Sequence, residues 1–154
     1  MKIFLIILLF VNVSCASSRY ISQTDNFSCG PVAVYNALVA EGVVPPTLAE
    51  LRSAMRTMST GTTLNDFLTV ASHLDLKLIQ IPATKVKING TYIVAMAFKK
   101  DDENNIGGHF VFMRNGKAYN IFKDETESEL TQFTLQGMLW QDPYGIYPMV
   151  WEVQ

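Results

Sequence analysis

Ser28-Cys29-Gly30-Pro31 runs into Val32-Ala33-Val34-Tyr35-Asn36-Ala37-Leu38-Val39-Ala40, and this stretch decides both the fold and the chemistry. It is apolar nearly all round, which predicts a helix over residues 30–41 set in the middle of a domain rather than on its surface. Pro31 suits the first turn, where its missing N–H removes a donor that has no intrahelical partner. Gly42 marks the end. A thiol at the start of such a helix has backbone N–H groups and the positive end of the helix dipole beside it, and both favour thiolate over thiol. Gln23, six residues upstream, can offer a side-chain N–H to an oxyanion. One short segment thus holds a nucleophile, its activation and part of a transition-state cradle, which points to an enzyme. The plain alternative for Cys29 is a small buried apolar side chain.

Outward from this helix, Thr47-Leu48-Ala49-Glu50 behind Pro45-Pro46 has the capping-box spacing and opens a second helix reaching about Met58. Thr60-Gly61-Thr62 breaks the chain, and Leu64, Phe67, Leu68, Ala71 and Leu74 then recur at helical spacing, giving a third helix to about His73. After Asp75 the pattern turns to strands over residues 76–81, 92–98, 109–113 and 117–122. Asn115-Gly116 is a hairpin signal between the last two. A short helix around residues 129–139 and a strand over 147–153 close the chain. Helices first and a mostly antiparallel meander after them make an α+β fold, with a central helix carrying the cysteine packed on the sheet.

The length, 154 residues, suits one domain, and 49% hydrophobic with 17% charged residues excludes a disordered chain. Part of the apolar excess is local. Met1-Lys2 precedes the nine-residue run Ile3-Phe4-Leu5-Ile6-Ile7-Leu8-Leu9-Phe10-Val11, and small and polar residues follow to Ser18. This is the pattern of a secretory signal peptide over residues 1–16, cleaved after Ala16, with one domain over residues 17–154. A lipoprotein reading instead cuts before Cys15 and lipidates it, which would be the chain's link to a membrane. Either way Cys29 is left as the one thiol of the folded domain, so it cannot be half of an internal disulfide. Without Lys2 there are eleven basic and fourteen acidic residues, and no basic patch of the kind that binds nucleic acid. Two histidines and one cysteine far apart in sequence make no metal signature, and no cofactor is expected. Asn26-Phe27-Ser28 and Asn89-Gly90-Thr91 would be glycosylation acceptors in a eukaryotic secretory pathway. A glycan at Asn26 would crowd the proposed site, which fits a bacterial or phage setting better.

A thiol nucleophile needs a base that takes its proton and later protonates the leaving group. His73 closes the third helix, where a cation is favourable and a solvated role fits. His109 follows Gly107-Gly108 at the start of an apolar strand, where glycines allow another backbone to approach closely, and it is the candidate base. A third group should hold the imidazole in its useful tautomer. Asn120, eleven residues on, can lie across from His109 on the sheet, and Asp124 just beyond competes with it.

Gln23-x5-Cys29-Gly30, an apolar helix, and Gly108-His109-Phe110-Val111 on a strand together resemble the papain-like cysteine peptidases, most closely the bacteriocin-processing, double-glycine C39-like type. Gly61-Thr62-Thr63-Leu64 is similar to that group as well, and the resemblance spans roughly residues 20–124. It implies a papain-like fold with Cys29 as nucleophile, Gln23 and the Cys29 backbone N–H as oxyanion donors, and His109 as general base and acid. The chain departs from the group where relatives place Asp-Pro on the strand after the histidine: Asp142-Pro143 lies well past that point. Asn120 would fill the role in the manner of the wider papain group.

These readings make the protein an exported thiol peptidase acting on a peptide or protein as a monomer. An acyltransferase or amidase could use the same Cys–His pair, the difference lying in pocket shape and water access. A catalytically idle binding domain would be expected to lack Cys29, Gln23 or His109, and all three are present.

Overall fold

The computed structural model describes residues 20–99, 106–119, 128–129 and 148–154. The expected signal segment with Cys15, the candidates Asn120 and Asp124, and most of the helix expected over 129–139 lie outside the described residues.

Three helices, α1 (Cys29–Ala40), α2 (Leu48–Ala54) and α3 (Leu64–His73), come before the strands in the chain. The strands are β1 (Leu78–Ile81), β2 (Thr91–Lys99), β3 (Ile106–Arg114), β4 (Lys117–Tyr119), β5 (Ser128–Glu129) and β6 (Met149–Val153). They form one sheet in the order β1-β6-β2-β3-β4-β5, antiparallel at every pairing. This is the α+β arrangement expected from the sequence, with one difference: β6 slots between β1 and β2, so the sheet is not a simple meander.

Local chemistry explains the elements. Gly42 takes φ +73° at the end of α1, and the N–H of Val43 reaches back to the Leu38 carbonyl at 2.9 Å, closing the helix in the left-handed manner glycine allows. Thr47 and Glu50 form the reciprocal capping box that opens α2. That helix ends earlier than the sequence pattern implies, because Arg56 turns left-handed (φ +50°) and the Thr57 N–H bonds the Arg52 carbonyl. Asn115 and Gly116 both have positive φ, as a tight two-residue hairpin requires. Glu129, expected in a helix, instead pairs with Lys117 as part of β5; the sheet edge takes up backbone that local preference would coil.

The core divides at the sheet. On the helix side, Val34, Ala37 and Leu38 of α1, Leu51 of α2 and Phe67 of α3 pack with Ile93, Phe110, Phe112 and Trp151. On the other side, Val94, Val111, Met113 and Val150 gather with Val86 and Tyr92. The period-two alternation of β3 therefore sends Phe110 and Phe112 to one cluster and Val111 and Met113 to the other. The all-round burial of α1 follows from its position: Val32, Val34 and Leu38 are each at most 2% exposed, worth about 1.5–3 kcal/mol apiece.

Candidate active site

Cys29 is the first residue of α1 and is 6% exposed. His109 stands on β3 opposite Met96 of β2, half-buried, one residue before Phe110. The two segments meet: Cys29 and Phe110 share one buried cluster, and the backbone N–H groups of Phe110, Gly30 and Cys29 itself lie near enough to the sulfur to favour its thiolate. The helix start thus abuts the strand immediately beside the histidine. His73 is exposed at the end of α3, its Nδ1 2.8 Å from the Thr69 carbonyl oxygen of its own helix. Gln23 is 5% exposed on the arm that leads to α1.

The net effect of the site on the Cys29 pKa is upward, opposite in direction to the expectation from the dipole. Burial raises the Cys29 pKa above its ordinary value and outweighs the three N–H groups, and the nearby Asp25 carboxylate adds to the rise. Among the described residues, a Cβ at Gly108 would come no nearer to another atom than 3.9 Å, at the Met96 carbonyl oxygen. At Gly30 a Cβ would stand 3.0 Å from Thr62. Thr62 is tied to Thr57 by a 2.7 Å hydroxyl hydrogen bond, so the turn between α2 and α3 packs directly on the start of α1.

Three residues outside the sequence reading, Asp25, Arg52 and Asn36, shape the approach to Cys29. Asp25 accepts from the Phe27 N–H at 2.9 Å and from the Ser28 N–H and hydroxyl at 2.7 Å each, which fixes the turn entering α1. Burial alone would raise its pKa, but the Ser28 hydroxyl, the two backbone donors and Arg52 hold it below the ordinary carboxylate value. Arg52 reaches Asp25 from α2 at 3.4 Å and lies over the Phe27 ring, 4.8 Å from its centroid. Asn36, wholly buried in α1, donates to the Ile21 carbonyl and accepts from the Ile21 N–H, both at 2.9 Å. The signals were there to read: an Asp three residues before the helix-start Ser, a known turn-forming spacing, and one amide inside an apolar run.

Behind His109 the support is aromatic. Phe67 of α3 stacks on Phe110 with ring centroids 4.4 Å apart and touches Trp151 at 5.9 Å. The arm is held against the same sheet: the Tyr20 ring packs on Phe112 and Tyr119, and its hydroxyl accepts from Arg114, which also bonds the Ala40 carbonyl at the end of α1.

The family model for the peptidase C39 family matches residues 17–129. No curated protein matches the chain. Among solved structures, the peptidase domain of Streptococcus ComA, a bi-functional ABC transporter involved in a quorum-sensing pathway, is similar with a TM-score of 0.59 at 16% identity, covering 88% of this chain and 97% of that one. That likeness shows the fold, helices on an antiparallel sheet in the papain-like manner. The family match extends it to chemistry: the chain belongs to the peptidase C39 family and is a cysteine peptidase, whose substrate is a peptide or protein.

Proposed function

We propose that the protein is an exported thiol peptidase that cleaves through an acyl-enzyme on Cys29, with His109 as general base and acid. The observation that carries this reading is the packing of the start of α1 on β3, which places buried Cys29 in one cluster with Phe110, the residue after His109. Burial pushes the thiol's pKa up, so the sulfur needs a base to take its proton for the attack. The sulfur then bonds to the scissile carbonyl carbon, and the carbonyl electron pair moves onto oxygen. Gln23 and the Cys29 N–H receive that oxyanion. Its collapse breaks the C–N bond, and His109 gives the proton to the leaving amine. Water, deprotonated by His109, attacks the thioester; the acid leaves and Cys29 regains its proton. Asn120 or Asp124 orients the imidazole.

Export rests on residues 1–16, with release after Ala16, or lipid anchoring at Cys15, before the enzyme acts as a monomer. A peptide-library digest read by mass spectrometry tests the activity. Wild type is expected to cut, Cys29→Ala to cut nothing, and His109→Ala to lose about 10²–10⁴-fold. Cleavage that survives Cys29→Ala sinks the reading.

A further inference from the structure

We propose that Asn36 is a positioning residue for the oxyanion donor, its buried amide holding the arm that carries Gln23 in place against the start of α1. The inference rests on the role given to Gln23 above. Asn36 follows Cys29 by seven residues, two helical turns, so both stand on nearly the same face of α1, about 10 Å apart along the axis. Its side chain takes both backbone groups of a single residue, Ile21. That two-point contact copies the exchange between paired strands and fixes the orientation of the arm as well as its distance. Gln23 lies two residues on, within about 7 Å of chain from the clamp. On the far side of Gln23, Asp25 fixes the turn that enters Cys29. The donor therefore sits on a short span with both ends tied to the nucleophile's own helix.

The choice of residue supports this reading. Val32, Ala33, Val34, Ala37 and Leu38 around Asn36 are all buried and apolar. An amide there is costly unless both of its ends are paired, and here both are. An aliphatic side chain would fill the space without that demand, but it would leave the arm without its tie to α1.

Two probes of Cys29 separate positioning from general support. A peptidyl aldehyde adds the sulfur to its carbonyl carbon and the thiol proton to its oxygen, and that oxygen occupies the oxyanion site. Iodoacetamide forms an S–C bond with loss of iodide and of the thiol proton, and this displacement develops no negative oxygen on the reacting carbon. Asn36→Ala is expected to weaken aldehyde binding about tenfold or more, approaching the loss in Gln23→Ala, while its alkylation rate and the pH profile of that rate stay within about twofold of wild type. Joined to Gln23→Ala, it should add little, because both act on one contact. Asn36→Asp gives a second handle. Protonated, its carboxyl can accept from the Ile21 N–H and donate to the Ile21 carbonyl; ionised, it loses the donor. Its aldehyde affinity relative to wild type should recover as pH falls, and that of Asn36→Ala should not. Equal losses with both probes, full additivity with Gln23→Ala, or failure of both variants to fold would overturn the proposal and leave Asn36 a packing residue. A wild-type protein that binds the aldehyde no better than Cys29→Ala would instead remove the catalytic reading itself.

Discussion

The two sides of the candidate site are built by different physics. On the histidine side, β2 and β3 pair in unbroken register from Thr91↔Arg114 to Lys99↔Ile106, and the Phe67–Phe110–Trp151 aromatics back the strand. On the side leading to Cys29, the arm from Tyr20 to Ser28 forms no strand or helix, and side-chain hydrogen bonds from Asp25, Asn36 and Arg114 pin it. Burial and ladder pairing resist local change collectively, whereas each polar tie is a single point. Damage to the sheet side should therefore appear as lost stability, and damage to the arm side as lost chemistry at modest cost to the fold.

The largest expected effect is on the sheet side. Phe67→Ala removes a wholly buried ring stacked on Phe110 and should cost about 3–5 kcal/mol in denaturant unfolding. A loss below 1 kcal/mol would break the contrast.

Gly30→Ala comes next, since the new methyl must push Thr62 or the helix start by a few tenths of an ångström. It should cost about 1–3 kcal/mol and lower turnover by more than that destabilisation accounts for, because the displaced atoms adjoin Cys29.

Asp25→Ala should be mildest for the fold, about 1 kcal/mol in the manner of a lost helix cap, yet it should reduce turnover. Its pH dependence sharpens the test. The folded carboxyl titrates below its ordinary value of 3.8, so its stabilisation is complete above that value and is lost as pH falls through the lowered folded one. Asp25→Asn, with nothing to titrate, should lack that part of the acid sensitivity while keeping an acceptor for the turn. Acid unfolding curves that superimpose with wild type would assign the tie to shape rather than charge.

The same contrast governs how much could be read from sequence. The start and Gly42 stop of α1, the Thr47 capping box and the Asn115-Gly116 hairpin are written in neighbouring residues, and all are found. The insertion of β6 between β1 and β2 is set by contacts 54 to 75 residues apart that no local pattern carries. The roles of Asp25 and Asn36 depend on the path of an irregular arm, which has no periodicity to betray it. Burial, a tertiary quantity, pushes the Cys29 pKa up where the helix-dipole argument alone points down. Cys29 and His109 stand out in the sequence as candidate chemistry, and the fold packs the start of α1 on the strand that carries His109.

The account turns on Cys29 being a thiol that only His109 can activate. The direct measurement is the rate at which a peptide vinyl sulfone labels Cys29 between pH 5 and 10, in wild type and in His109→Ala. Wild type should label far faster than a free thiol near neutrality. His109→Ala should label slowly there and gain reactivity only above the ordinary thiol pKa, since burial opposes the thiolate. Superimposable profiles, or a wild-type rate no greater than that of a free thiol, would contradict the account.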